Sequence, residues 1–178
     1  MAEFSVLYGN SLYALAKTED LVERIYADLG LIAAVLEKQT DYEKLLDAPG
    51  ITSSEKCSLL DSAFAKYVHP YTNNFLKILA EKKQVHTFAA VRRAFVKQYN
   101  IEHNIEEAVV VTAIPLDARL LEKLTKKLEN MTGKTVVLTN KVDPSILGGM
   151  TVRMENKQID ASVRTRLANL EKQLMQQQ

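Results

Sequence analysis

The chain has 178 residues, 47% hydrophobic and 25% charged, with 23 basic against 22 acidic side chains and a net charge of +1. That is a globular composition, long enough for one large or two small domains with real cores, and it excludes a disordered chain. The near-neutral charge gives no long-range field for nucleic acid or anionic lipid, and the single cysteine, Cys57, excludes an intrachain disulfide and a thiolate metal cluster.

No apolar run is long enough to cross a membrane. The opening Met1-Ala2-Glu3-Phe4-Ser5 lacks a basic stretch followed by an apolar core, and it is not arginine-rich. Neither a secretory signal nor a transit peptide is expected there, and the protein is expected to be soluble.

From the start to about residue 104 the sequence reads as successive helices. Tyr8, Ser11, Leu12 and Leu15 fall at i, i+3, i+4 and i+7 and predict a first helix. Thr18 is placed to cap a second, with Glu19 and Asp20 in its first turn. Its apolar positions are Leu21, Val22, Ile25, Tyr26, Leu29, Ile32, Ala33 and Leu36. A short third helix around Tyr42, Leu45 and Leu46 stops at Ala48-Pro49-Gly50, because proline and glycine both oppose continuation.

Thr52-Ser53-Ser54-Glu55 fits a capping box opening a fourth helix, with Leu59, Leu60, Ala63, Phe64 and Tyr67 as the expected buried stripe. Pro70 suits the first turn of a fifth helix carrying Phe75, Leu76, Leu79 and Ala80. A sixth carries Phe88, Val91, Phe95 and Tyr99 on one face, with Arg92, Arg93 and Lys97 largely off it.

The pattern changes near residue 105. Ala108 to Ile114 is β-branched, is bounded by Pro115, and reads as a strand. Asp117 caps a helix whose inner face is Leu120, Leu121, Leu124, Leu128 and Met131, and Gly133 ends it. Thr135 to Thr139 is a second strand, Asp143-Pro144-Ser145 a turn, Met150 to Met154 a third strand, and Glu155-Asn156-Lys157 another turn. Asp160 or Ser162 then caps a last helix with Val163, Leu167, Leu170 and Leu174. The expected fold is therefore α+β: a six-helix bundle over 1–104, then a small α/β domain over 105–178.

Little in this sequence points to chemistry. Gly148-Gly149 leads into the strand-like Met150-Thr151-Val152, not a helix start, so a tight bend or close backbone approach explains it better than a phosphate loop. His69, His86 and His103 have no metal-ligand spacing. Asp160 and Ser162 are explained by capping, and Cys57 by packing in a helix. Arg92, Arg93 and Lys97 would support a helical nucleic-acid-binding alternative only with exposed aromatics beside them, and Phe88, Phe95 and Tyr99 fall on the presumed core stripe. No catalytic residue, cofactor or metal is expected.

The first and fifth helices are apolar on more than one side. Val6, Tyr13 and Ala16 lie off the first stripe, and Ile78 off the side shared by Leu76, Leu79 and Ala80. Such helices are either fully buried or have a second partner, as in a groove that takes an amphipathic helix.

The run Ile146, Leu147, Gly148, Gly149, Val152, Arg153, Ile159, Asp160, Ser162, Arg166, Leu167 and Leu170 resembles the signature of the delta-subunit family of the F-type rotary ATP synthase. That family includes the mitochondrial oligomycin sensitivity-conferring protein. Tyr8-Gly9-Asn10-Ser11-Leu12 is similar to its Tyr-Ala-x-Ala-Leu pattern, and Phe75-Leu76-Lys77-Ile78-Leu79 ahead of Phe88 resembles its fifth and sixth helices. Glu155-Asn156 stands where the family usually has Gly-Asp, and Gly9 and Ser11 where it has alanines.

The resemblance implies a non-catalytic stator subunit joining the catalytic head to the peripheral stalk and resisting rotor torque during proton-driven ATP synthesis. It implies a groove of the first and fifth helices, at Tyr8, Ser11, Leu12, Leu76 and Leu79, for the N-terminal helix of an alpha subunit. The b subunits of the stalk would contact Val163, Leu167, Leu170 and Leu174, with Gly148, Gly149, Asp160 and Ser162 shaping the turn and cap. The place implied is the cytoplasmic face of a bacterial inner membrane, reached only through the complex.

Overall fold

The computed structural model describes residues 2–48, 50–146, 148–155, 157–165 and 167. The chain divides into two compact units, Met1–Tyr99 and Asn100–Gln178. The division falls inside the helix Phe88–Glu102, a few residues before the boundary expected at 104.

In the first unit the helices are α1 (Ala2–Thr18), α2 (Val22–Lys38), α3 (Thr40–Asp47), α4 (Ser53–Phe64), α5 (Pro70–Glu81) and α6 (Phe88–Glu102). A short 3-10 turn, Val85–Thr87, precedes α6 and has no periodic signal in the sequence. One apolar core is made from Leu12, Tyr13 and Ala16 of α1, Ile25, Leu29, Ile32 and Leu36 of α2, Leu46 of α3, and Leu60 and Phe64 of α4. The inner faces of α5 and α6 complete it with Phe75, Leu76, Leu79 and Ala80 and with Phe88, Val91 and Phe95.

Local chemistry sets where these helices stop and start. Thr18 does not cap α2. It ends α1, and its hydroxyl donates back to the Ala14 carbonyl at 2.9 Å. Asp20 takes φ 54° and Leu21 N–H returns to the Ala16 carbonyl at 2.8 Å, a Schellman closure made without glycine. Lys83, at φ 53°, closes α5 the same way, with Gln84 N–H on the Leu79 carbonyl at 2.8 Å.

The capping box of α4 is present. Thr52 N–H donates to Glu55 at 2.9 Å, and Glu55 N–H to the Thr52 hydroxyl at 3.4 Å. The backbone N–H of Thr52 is the main reason the Glu55 carboxyl sits below the usual range. The expected α4 stripe needs correction. Leu60 and Phe64 are buried, but Ala63 and Tyr67 are exposed, and the buried position one turn before Leu60 is Lys56.

Two buried or half-buried carboxylates bind helix starts from a distance. Asp28 of α2, 3% exposed, accepts His69 N–H at 2.6 Å and the Thr72 hydroxyl at 3.1 Å, and pairs with Arg24 Nε at 3.2 Å. Asp28 therefore shares the cap of α5 with His69, whose Nδ1 accepts Tyr71 N–H at 3.3 Å. Asp47, at the end of α3, accepts Val85 N–H and His86 N–H at 3.0 and 3.1 Å and meets His86 Nδ1 at 2.7 Å. These contacts pin the 3-10 turn to α3.

The second unit contains β1 (Ile105–Thr112), α7 (Ala118–Thr132), β2 (Thr135–Val142), β3 (Met150–Met154) and β4 (Gln158–Asp160). The sheet order is β2-β1-β3-β4. The parallel pair β1 and β2 is joined through α7, while β3 runs antiparallel to both β1 and β4. Asp117 caps α7 by accepting Leu120 N–H at 2.6 Å, and Gly133 ends it at φ 70°.

Ala108 and Val110 of β1, Val136 of β2 and Val152 of β3 are buried with Leu128 of α7, and Leu124 and Leu138 pack against them. Leu120 and Met131, expected on the inner face of α7, are 50% and 59% exposed. The strands β1 and β2 extend beyond the apolar runs that announce them, through Ile105-Glu106-Glu107 and Asn140-Lys141-Val142. Ladder bonding to a neighbour carries polar residues into a strand. The three-residue β4 is too short to show alternation.

Candidate functional site

The residues that might have carried chemistry are structural. Among the described residues no group of three His, Cys, Asp or Glu could hold a metal ion. Asp160 accepts Ser162 N–H at 2.9 Å and the Thr165 hydroxyl at 2.8 Å, and Ser162 accepts Thr165 N–H at 3.3 Å. Together they start the helical turn at Val163, with Ser162 as its cap and Asp160 still in β4. Hydrogen bonds from Ser162 N–H and then the Thr165 hydroxyl hold the Asp160 carboxyl below its ordinary range.

Gly149 has φ 82°, and a Cβ there would lie 2.4 Å from the Ala161 carbonyl oxygen and 2.9 Å from Ser162 Cα. Only glycine permits this crossing. It is closed by Ala161 N–H on the Met150 carbonyl at 2.9 Å and Val163 N–H on the Gly148 carbonyl at 3.0 Å. The glycine pair is a backbone junction holding the last helical turn against β3. Cys57 is half-buried, with Sγ 4.0 Å from Glu81 Oε1.

The basic cluster of α6 is not built for nucleic acid. Arg92 is half-buried and Arg93 Nε bonds to the Ala89 carbonyl at 3.3 Å. Phe88 and Phe95 are in the core, and Tyr99 stacks on Tyr26 at 4.5 Å and donates to Glu23 at 2.8 Å. That bond to a carboxylate, more than burial, raises the Tyr99 phenol above its ordinary range. No exposed aromatic from this face is left to stack on a base.

The residues expected to meet another protein are placed as follows. Leu12, Leu76 and Leu79, expected to line a groove, are 3%, 2% and 0% exposed and belong to the core. At most 3% exposed, these three side chains pack inward and leave little area at the surface. The reason is geometric. The strongest apolar period of a helix marks the face that its own fold buries, and a binding face is the weaker stripe beside it.

The helix pair itself does carry such a stripe. Tyr8 is half-buried, stacked on Phe4 at 4.1 Å, and its ring lies 6.3 Å from that of Phe75 on α5. Outward from this contact α1 presents Leu7, 63% exposed, then Ser11, then Leu15, 40% exposed, at i, i+4 and i+8. On α5 the outward positions are Tyr71, Asn74 and Ile78 at i, i+3 and i+7, with Ile78 42% exposed. Exposed apolar side chains therefore stand on both helices of the pair that the Tyr8–Phe75 ring contact joins. Of the residues expected to line a groove, Ser11 is exposed and Tyr8 half-buried; Leu7, Leu15 and Ile78 are exposed apolar neighbours on the same two helices. Only the second-side placement of Ile78 hinted at this.

In the second unit, Val163 and Leu167 are 41% and 58% exposed. Leu170 and Leu174 lie outside the described residues.

Comparisons with known proteins show the family. The family model described as ATP synthase delta (OSCP) subunit matches residues 5–174. An ATP synthase subunit delta from Alkaliphilus metalliredigens is 34% identical over 169 residues, covering 95% of this chain and 94% of its own. One from Clostridioides difficile is 32% identical over 168 residues, covering 94% and 93%. Among solved structures, a chain of the Toxoplasma gondii mitochondrial ATP synthase hexamer superposes with a TM-score of 0.75 at 27% identity, over 96% of this chain and 97% of that one. The chain belongs to the ATP synthase delta (OSCP) subunit family, a structural and not a catalytic component of that enzyme.

Proposed function

We propose that this protein is the stator connector of an F-type ATP synthase, fastening the catalytic head to the peripheral stalk so that the head does not turn with the rotor. The helical unit takes the N-terminal helix of an alpha subunit along the outward faces of α1 and α5. The α/β unit contacts the b subunits of the stalk through the surface that begins at Val163 and Leu167. No helix among the described residues is long and apolar enough to cross a membrane. Attachment to the cytoplasmic face of a bacterial inner membrane then comes through the complex.

The observation that carries this reading is the set of exposed apolar side chains, Leu7 and Leu15 on α1 and Ile78 on α5, on two helices joined by the Tyr8–Phe75 ring contact. An amphipathic helix lying across them buries its own apolar face at i, i+3, i+4 and i+7. Interfaces of about 1,200–2,000 Å² are the size class of stable association, with affinity decided by how well the anchors pack. A connector under torque needs durable contacts of this kind rather than a reactive centre.

The test is a titration of the purified chain with a peptide of the alpha N-terminal helix. Ile78→Asp is expected to weaken binding at least tenfold with the helical circular dichroism unchanged. Leu79→Asp, at a position with no exposure, is expected to unfold the bundle instead. Unchanged affinity for a folded Ile78→Asp variant would overturn the groove assignment.

A further inference from the structure

Helix α7 covers only part of its sheet. Neighbouring strands stand about 4.8 Å apart and a helix is about 10 Å across, so on a four-stranded sheet one helix shields two strands and leaves room for a second beside it. On one flank of α7 the Glu129 carboxylate accepts Val136 N–H of β2 at 3.3 Å. Met131, two residues on and so on the opposite flank, shares a hollow of about 210 Å³ with Met154 of β3. Helix α7 therefore has β2 on one side, and its other flank looks onto β3.

That flank follows β3 along its length. Helix α7 leads from the end of β1 back to the start of the parallel β2, so it runs in the direction of β3, which is antiparallel to β1. Leu120 precedes Met131 by eleven residues and falls within about 20° of it around the helix. Those residues rise about 16 Å, while Met150 to Met154 spans about 13 Å. Met150, Val152 and Met154 alternate onto the α7 side, where Val152 is buried with Leu128, and Ile159 of β4 stands opposite Val152. Met150, Met154 and Ile159 are only partly covered, and Leu120 and Met131 are 50% and 59% exposed. A trough results, floored by β3 and β4 and walled on one side by α7.

Three of the chain's five methionines line it. Their unbranched thioethers adapt to the contour of whatever packs on them. Lys123 and Lys127 lie on the α7 flank, eight and four residues before Met131, and Lys157 lines the hollow. Among the described residues none of these three lysines has a carboxylate partner, whereas Lys134 beside them is paired with Glu106 at 2.6 Å.

We infer that this trough docks an acidic amphipathic helix, and that the helix belongs to the b-subunit stalk. The inference rests on the connector reading and adds a second contact to the surface that begins at Val163 and Leu167. In that reading the helical unit holds the head, so the open face of the α/β unit falls to the stalk. The apolar stripe of the partner covers the methionines, and its acidic flank meets the lysines that this chain leaves unpaired.

The experiment titrates four full-length proteins with the soluble part of the b-subunit stalk, at low and at high salt. They are the wild type, Met131→Asp, the double variant Lys123→Glu with Lys127→Glu, and Ile78→Asp in the other unit. Met131→Asp is expected to bind roughly tenfold or more weakly, with the thermal transition of the second unit in place. The lysine variant is expected to bind as weakly at low salt and to lose most of the salt dependence. Ile78→Asp is expected to bind the stalk as the wild type does. Should Met131→Asp fail to fold, Met131→Ser is measured in its place, with a loss of about threefold expected.

Wild-type affinity in a folded Met131 variant or in the lysine variant, or an equal loss in Ile78→Asp, would overturn the trough assignment. So would a dimer of the free protein that Met131→Asp dissolves, which would put a second copy there. Proton–proton contacts of the Met131 or Met154 methyl with Leu170 or Leu174 in the free protein would put the chain's own tail there and would overturn it too. Absence of stalk binding by the wild type would instead overturn the connector reading beneath it.

Discussion

Replacing Asp28 by alanine tests whether one buried carboxylate organises the start of α5. In the native bundle Asp28 is 3% exposed and serves three groups: His69 N–H at 2.6 Å, the Thr72 hydroxyl at 3.1 Å and Arg24 Nε at 3.2 Å. The substitution orphans the first two in an apolar setting, and Thr72 has no exposure at all. An unsatisfied buried donor costs about 1–3 kcal/mol.

The Arg24 side chain is 55% exposed and simply rehydrates, so its loss adds little. Relief of the desolvated aspartate charge offsets part of the cost. The net is about 3 kcal/mol, at the low end of the roughly 3–5 kcal/mol seen when one partner of a buried pair is removed. For a unit of this size each 1 kcal/mol shifts Tm by about 4–8 °C, so Asp28→Ala should lower the transition of the helical unit by about 12–24 °C in calorimetry. Asp28→Asn, which keeps one acceptor, should fall about halfway. A loss below about 1 kcal/mol for Asp28→Ala, or unchanged amide exchange at His69, would refute the assignment of Asp28 as the remote cap of α5.

Lys56 is 2% exposed and its side-chain nitrogen has no hydrogen-bond partner among the described residues, so Lys56→Met should stabilise the bundle by about 1–2 kcal/mol, read as a higher denaturant midpoint at unchanged m-value. Gly149→Ala combines a left-handed backbone with a 2.4 Å clash against the Ala161 carbonyl. It should destabilise the second unit by about 2–4 kcal/mol and speed amide exchange along β3, leaving the helical unit's transition in place. The Asp160 carboxyl is held below its ordinary range by Ser162 N–H and the Thr165 hydroxyl. A depressed folded-state pKa gives stability that is present above the unfolded value and lost as pH falls through the folded one. Amide protection at Ser162 and Thr165 should therefore decay only on acidification below about pH 4, and Asp160→Asn should remove that pH dependence.

Much of this fold is legible in the sequence because it is written in short-range signals. The Thr52–Glu55 box, Pro70 at the start of α5, Asp117 ahead of α7 and Gly133 behind it each act within a turn of their own position. Period alone places α2, α5 and α6. Signals fail where tertiary contacts decide. Asp20 and Lys83 adopt left-handed angles without being glycine or asparagine, so the corners after α1 and α5 carry no mark. Asp28 and Asp47 look like surface acids on helices, and only the fold brings them to distant helix starts. Lys56 is in the core although its type argues against it, and β4 is too short to have a period.

The candidate site was half legible for a related reason. Family likeness points the proposal to α1 and α5, and a second apolar side is visible at Ile78. Yet the eye follows the densest stripe, and Leu12, Leu76 and Leu79 are dense because the bundle itself buries them. The partner face proposed here consists of fewer, interrupted positions, Leu7, Ser11 and Leu15 with Ile78, whose pattern only becomes readable once the core has claimed its own. The Gly148-Gly149 junction was legible as a close approach. What it approaches, the Ala161–Val163 backbone, was not.

The claim on which the rest depends is that one molecule holds two partners at once. The direct measurement is analytical ultracentrifugation of three purified components: the soluble catalytic head, the soluble part of the b-subunit stalk, and this protein. Head and stalk should co-sediment as one species only when the protein is added, and an Ile78→Asp variant should remain with the stalk while releasing the head. Co-sedimentation without the protein, or two binary complexes that exclude each other, would contradict the account.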